Sequence, residues 1–168
     1  MKTGKLMISA AIFTFCASVA NANTTSVDTG TWARKDLANG QLLYTAASET
    51  PSLAFVCTNE GKLSAIINID GGDLFEKLAK GSSRVRTKTG ILSIENREST
   101  RDSWNYYPAT KLAQPTKPSV SRKLYNAAVT GSDVKLDMSF VDDPSISPPA
   151  LNDDFKAFAT TCSATNGS

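Results

Sequence analysis

An apolar stretch at residues 53–69, with the sequence LAFVCTNEGKLSAIINI, constrains the fold of this chain more than any other feature. Apolar side chains recur at every second position on both sides of the segment TNEG, and this period is typical of β-strands. The Asn and Gly of that segment supply the backbone conformations that a short turn requires. The stretch therefore predicts a core hairpin, with strands at 52–57 and 62–69, and its first strand ends at Cys57.

The remainder of the chain predicts an α+β fold. Residues 152–162 carry apolar side chains at helical spacing, with Asn152 suited to cap the helix and Cys162 on its apolar side. A second helix is predicted at 120–129, capped by Ser119 or Ser121 and ended by Gly131. Further strands are predicted at 41–47, 83–89, 91–97, 103–107 and 134–140, with a turn near Thr89 and Gly90 and loops at 109–118 and 141–149.

These elements predict one globular domain at 32–168. We expect an antiparallel sheet or sandwich of roughly six to eight strands, packed against the two helices. A polar stretch at 23–31 is expected to form a flexible lead-in to this domain.

The first 22 residues are typical of a cleavable signal peptide. Lys2 and Lys5 precede an uncharged apolar segment, and the small residues of Ala20-Asn21-Ala22 form a cleavage signal. A transmembrane anchor or a buried helix is the alternative, but the apolar segment is short for a bilayer span. No later segment is apolar for long enough to cross a membrane. We therefore expect cleavage after Ala22 and a periplasmic or secreted protein without an integral membrane span.

Export to an oxidising compartment would favour a disulfide between the cysteines of the mature chain. Cys16 lies within the predicted signal peptide, which leaves Cys57 and Cys162 in the mature chain. Two cysteines in a small exported domain most often pair, because the compartment is oxidising. A bridge between them would tether the C-terminal helix to the core hairpin and stabilise the fold by roughly 4–5 kcal/mol at most. The alternative is a pair of free, buried thiols.

Charge and composition narrow the range of functions. The chain has 18 basic and 16 acidic residues, and removal of Lys2 and Lys5 leaves 16 of each. A neutral mature chain has no general attraction for nucleic acid. The absence of histidine excludes Ser-His-Asp and Cys-His catalysis and removes the commonest zinc ligand. We therefore predict no catalytic residues, no metal and no cofactor.

Paired carboxylates leave one catalytic alternative open. Asp70 with Asp73, and the adjacent pairs at 142–143 and 153–154, are candidates for a hydrolase, and the first pair could also contribute to a calcium site. Each pair also has a structural explanation as turn, loop or helix-start residues.

Basic and aromatic side chains between residues 84 and 107 form a candidate binding face. Such groups can bind phosphates, glycans or an acidic partner. The alternative is a solvated strand edge, since basic side chains protect edges from aggregation. The candidate residues are Arg84, Arg86, Lys88, Arg97, Arg101, Trp104, Tyr106 and Tyr107.

Several of these features occur together in one kind of exported protein. They are the signal peptide, an early Trp32, Cys57 before the segment GKLSAIINI, a strand with Arg84 and Arg86, the helix SRKLYNAAVTG and the closing FKAFATTC. In this order they resemble the periplasmic accessory proteins associated with type VI secretion, and other exported proteins with the same two-cysteine plan. The resemblance implies a similar fold, the pairing of Cys57 with Cys162 and an accessory role, and it transfers no catalytic residue.

The leading functional expectation is therefore an exported, non-enzymatic protein of the cell envelope. Its partner would be an envelope protein, a secreted protein or a cell-wall glycan, and not nucleic acid. One alternative is a secreted inhibitor of an enzyme such as lysozyme, because such inhibitors are also small, exported, β-rich and often disulfide-bonded. The other alternative is the carboxylate-dependent hydrolase.

Overall fold

A computed structural model of the chain describes residues 30–46, 51–80, 84–139, 141 and 144–162. The predicted signal peptide at 1–22 lies outside these residues, as does the predicted lead-in before Gly30. Nine strands and three helices are formed by the described residues, and the predicted α+β class is confirmed. In chain order they are β1 (Thr31–Leu37), β2 (Gly40–Ala46), β3 (Ser52–Thr58), β4 (Leu63–Asn68), α1 (Leu74–Lys80), β5 (Arg86–Ile94), β6 (Thr100–Tyr107), β7 (Leu112–Pro115), α2 (Pro118–Thr130), β8 (Val134–Met138), β9 (Ser145–Ile146) and α3 (Asp153–Thr161).

The nine strands form a single antiparallel sheet in the order β1-β2-β3-β4-β7-β6-β5-β8-β9. Strands β1 to β4 follow one another as a meander, and the predicted hairpin of β3 and β4 lies in its interior. Strand β4 then pairs with β7, where Ile67 lies opposite Ala113 and Asn68 lies opposite Leu112. The chain reaches the second half of the sheet through α1. The pairing of β4 with β7 therefore joins two halves that are distant in sequence.

Helices α2 and α3 cover one side of the sheet, which we call the inner face. Alternate residues of the central strands point to this side, including Leu53, Phe55 and Cys57 of β3. An aromatic cluster joins the layers, with Trp32 at 5.2 Å from Phe155 and Phe55 at 5.4 Å from Tyr125, measured between ring centroids. Burial of each large side chain stabilises the fold by about 1.5–3 kcal/mol. The main hydrophobic core therefore lies between the sheet and these two helices.

The opposite side of the sheet, which we call the outer face, carries a smaller cluster. Its buried members come from β2, β3, β4, β7 and α1. Helix α1 is held there by buried Leu74 and by Phe75, whose ring lies 3.2 Å from the Lys35 ammonium on β1. This short helix leaves several apolar side chains beside it only partly buried, namely Tyr44, Val56, Phe75, Leu78 and Tyr107.

The predicted bridge between Cys57 and Cys162 is present, with Cα atoms 5.7 Å apart. Cys57 lies on β3 and Cys162 is the residue at which α3 ends. The helix begins as predicted, because the Asn152 side chain accepts a hydrogen bond from the backbone N–H of Phe155. The disulfide ties the end of α3 to β3, and the Asn152 amide ties its start to β1 by donating to the Trp32 carbonyl over 2.7 Å.

Two predicted local features are wrong. The turn near Thr89 and Gly90 does not form, because β5 runs without interruption through both residues and the turn follows at 95–99. Neither Ser119 nor Ser121 caps α2, which starts at Pro118 without a side-chain cap. Ser121 instead accepts a hydrogen bond from the backbone N–H of Ala65, which fastens α2 to β4.

Four elements were not predicted. Strand β1 lies in a region whose charged residues obscured the strand pattern, and β7 and β9 lie in segments that we expected to be loops. Helix α1 raises the number of helices from two to three. The predicted strand at 134–140 is observed as β8, and Phe140 lies outside the described residues.

Candidate functional site

The structure divides the eight predicted basic and aromatic residues among several places. Arg84, Arg86, Lys88 and Tyr106 come together near the start of β5, where Arg86 lies directly opposite Tyr106 on β6. Arg84 and Arg86 are exposed, and Lys88 and Tyr106 are partly buried. Arg84, Lys88 and Tyr106 each make a contact with another group. This cluster is therefore the part of the predicted face that the fold brings together.

The other four residues lie elsewhere. Trp104 is fully buried in the main core. Tyr107 lies three residues further along β6 and therefore points to the opposite side, the outer face. Arg97 lies in the turn after β5 and Arg101 near the start of β6. Arg101 lies opposite Ile91, which is five positions along β5 from Arg86 and so roughly 17 Å away, and Arg97 lies beyond the end of that strand. The eight residues consequently do not form one continuous surface.

The outer face carries a pocket that is lined by side chains from both halves of the sheet and from α1. Its volume is about 190 Å³. It lies between α1, the central strands β4 and β7, and the turn that joins β6 to β7. The lining is mainly apolar and consists of Ile66, Lys77, Leu78, Tyr107, Thr110, Leu112 and Gln114.

The polar groups of this pocket are positioned by the turn between β6 and β7. The Tyr107 hydroxyl donates to Gln114 Oε1 over 3.3 Å. The Thr110 side chain and backbone N–H both donate to the Tyr107 carbonyl, which closes the turn. Lys111 has a left-handed backbone with φ of 49°, and its carbonyl accepts from the backbone N–H of Ile69. One wall of the pocket is thus fixed to the loop that follows β4.

Lys77 on α1 forms the opposite wall. Its ammonium donates to the Asp70 carboxylate, to the Gly71 carbonyl and to Asn68 Oδ1. Asn68 is fully buried and donates in turn to the Gly71 carbonyl over 2.6 Å. Because these acceptors hold the ammonium, the aliphatic stem of Lys77 is left to face the pocket.

We call the rim of the pocket the place beside Lys77 and Thr110 of the lining where Asp70 lies between Lys77 and Lys111. The second oxygen of Asp70 is 3.2 Å from the Lys111 ammonium, and about a third of its side chain is exposed. Burial acts to raise the pKa of Asp70, but the hydrogen bonds and charges of Lys77 and Lys111 outweigh burial and lower the pKa below its ordinary value. The three side chains together carry one net positive charge at neutral pH.

The carboxylate pairs considered for catalysis have structural partners. Asp73 accepts from the backbone N–H of Glu76 and begins α1, while Asp70 is held by the two lysines. Asp153 and Asp154 lie in the first turn of α3, where their negative charges interact favourably with the positive end of the helix dipole. Within the described ranges, no group of three or more acidic or cysteine side chains could hold a metal ion. The pair at 142–143 lies outside those ranges.

Helix α1, which forms one wall of this pocket, has a local signal in the sequence that the predicted elements do not include. The segment DLFEKLAK, at 73–80, has Asp at a capping position, Glu three residues later, and apolar residues at Leu74 and Leu78. These are the marks of a short helix with one apolar side. The position of that helix beside β7 depends on the sheet order and has no local signal.

Comparisons with known proteins identify no relative of this chain. No protein-family model, no curated protein and no solved structure matches it. None of the helices in the described ranges has the length and apolarity to span a bilayer.

Proposed function

We propose that this chain is an exported, non-enzymatic protein of the cell envelope that binds a macromolecular partner through its outer face. The observation that carries the proposal is the apolar pocket of about 190 Å³ beside α1. On the same face of the sheet, Tyr44, Val56 and Phe75 are only partly buried. A partly covered apolar surface with a central pocket is typical of protein interaction sites.

The proposed location is supported by the disulfide between Cys57 and Cys162. Disulfides form and persist in oxidising compartments such as the periplasm and the extracellular space. The same compartment is predicted by the signal peptide at 1–22. Two separate features of the chain therefore favour export.

A binding role is also supported by the structural contacts that the carboxylates near the pocket make. Asp70 is ionised and paired with Lys77 and Lys111, so it is not arranged to act as a general acid. Asp73 is used as a helix cap. These carboxylates stabilise the wall of the pocket.

Site-directed photo-crosslinking in the producing cell tests this proposal. A photoreactive phenylalanine analogue is placed at Ala109, which is exposed beside the pocket, and the matched control carries it at Asn126, which is exposed on α2. We expect a discrete adduct from position 109 that is lost when Leu78→Trp fills the pocket. Mass spectrometry of the adduct identifies the captured partner. Capture of a muramidase would favour the alternative function, a secreted enzyme inhibitor, over binding of an envelope protein.

Adducts of equal yield from both positions would contradict binding through the outer face. The same conclusion would follow if Leu78→Trp, with an unchanged circular dichroism spectrum, left the position-109 adduct intact.

A further inference from the structure

We infer that the outer-face pocket takes one large apolar side chain of a protein partner, adjacent in that partner to an acidic side chain. This inference rests on the proposed binding function and specifies the partner's chemistry. It combines the size of the pocket, its lining and the charge at its rim.

The size of the pocket selects the occupant. Sites for small molecules and cofactors usually have volumes of roughly 300–1,000 Å³. The pocket has about 190 Å³, which is below that range and suits the insertion of a single large side chain. Interfaces between proteins commonly centre on an apolar anchor of this kind in a pocket on the partner.

The lining matches an aromatic or leucine side chain with its backbone at the rim. Ile66, Leu78 and Leu112 supply aliphatic walls and Tyr107 supplies an aromatic ring. Gln114 Oε1 already accepts a hydrogen bond from the Tyr107 hydroxyl. The amide nitrogen of Gln114 is the group that can donate to a backbone carbonyl of the bound segment. A peptide segment offers such a carbonyl next to its side chain.

The charge at the rim selects the neighbour of that anchor. Lys77 and Lys111 share the single carboxylate of Asp70, which leaves one net positive charge. The Lys111 side chain is 55% exposed, whereas that of Lys77 is 24% exposed, so Lys111 is the accessible cation. An acidic side chain beside the anchor would complement this charge, and a basic one would be disfavoured.

Nuclear magnetic resonance titration of the disulfide-bonded mature chain tests this inference with three small probes. They are N-acetyl-Asp-Phe-amide, N-acetyl-Lys-Phe-amide and N-acetyl-Asp-Ala-amide. We expect saturable shifts of the backbone amides of Ile66, Tyr107 and Gln114 with the first probe. The second should bind about two- to fivefold more weakly, as for the loss of an exposed ion pair. The third should give no shifts.

Two variants separate the apolar from the ionic part of the inference. Leu78→Trp should abolish the shifts with every probe. The matched variant Val129→Trp, at an exposed position of α2, should leave them unchanged. Lys111→Asn should remove the preference for Asp over Lys, and asparagine tolerates the left-handed backbone at that position.

Shifts confined to other residues, or equal binding of the Asp and Lys probes, would overturn the inference. So would shifts of the pocket amides by a soluble chitin oligosaccharide with none from the Phe probes. In that case a partner still binds the outer face, and the proposed function stands while the peptide anchor does not.

Discussion

Gly90 lies directly against the indole ring of Trp104 on the neighbouring strand. A Cβ atom at position 90 would come within 2.9 Å of Trp104 Cδ1 and 3.1 Å of Leu136 Cδ1. Trp104 is fully buried, so its ring has little freedom to move aside. The absence of a side chain at Gly90 therefore allows the Trp104 ring to approach β5 this closely.

Gly90→Ala is expected to lower the free energy of unfolding by about 1–3 kcal/mol, because it adds a methyl group to a filled core. Urea unfolding followed by tryptophan fluorescence measures this change. The matched control is Thr89→Ser, since Thr89 immediately precedes Gly90 in β5 and is exposed on the outer face. The control should alter stability by no more than about 0.5 kcal/mol. Coincident unfolding curves for Gly90→Ala and wild type would contradict this account of the contact.

The same contact explains why the glycine at position 90 lies within a strand and not in the predicted turn. Glycine marks turns when the backbone needs a positive φ, and it also marks places where another group approaches a strand closely. Only the second reason applies at Gly90, and the approaching group is Trp104 from a different strand. A single sequence does not distinguish the two reasons.

The candidate site was predictable only in part. Alternation in the segment SWNYY places Trp104 and Tyr106 on one face and Tyr107 on the other, so the division of the predicted aromatic face follows from period two. The grouping of Arg86 with Tyr106 follows from the pairing of β5 with β6, which are neighbours in sequence. The pocket requires β4 beside β7, a pairing distant in sequence and set by the whole sheet.

Removal of the disulfide should destabilise the chain substantially. The double variant Cys57→Ala with Cys162→Ala frees a loop that spans 105 positions in sequence. The loss in unfolding free energy should approach but not exceed about 4–5 kcal/mol, the value expected from loop entropy alone. Equilibrium urea unfolding measures it. Treatment with dithiothreitol should destabilise wild type and leave the double variant unchanged; an equal response of the two would show that the bridge does not stabilise the fold.

The ion pairs of Asp70 should make part of the stability dependent on pH. Burial raises the pKa of Asp70, but Lys77 and Lys111 lower it below the ordinary value of 3.8 overall. A carboxylate whose pKa is lower in the folded state stabilises the fold above its ordinary pKa, and that contribution is lost as the pH falls through the folded pKa. Asp70→Asn should therefore cost up to about 1 kcal/mol at neutral pH and much less in strong acid.

Urea unfolding of wild type and Asp70→Asn at several pH values measures this difference. Glu60→Gln is the matched control, because Glu60 pairs with Lys62 over 2.6 Å while both side chains are more than 70% exposed. The control should show little change at any pH. If Asp70→Asn lowered the free energy of unfolding equally from neutral pH to strong acid, the charge of Asp70 would not be the cause of the loss.

Asn152 links α3 to the first strand, and its two functions can be separated. Its oxygen accepts from the Phe155 N–H, while its amide nitrogen donates to the Trp32 carbonyl over 2.7 Å and to Thr31 Oγ1 over 3.2 Å. Asn152→Ala loses both functions and should lower the free energy of unfolding by about 1–3 kcal/mol. Asn152→Asp keeps the cap but cannot donate to Trp32, so its stability should lie between those of Asn152→Ala and wild type. Thermal and urea unfolding give this order, and an aspartate variant as stable as wild type would show that the contact with β1 contributes nothing.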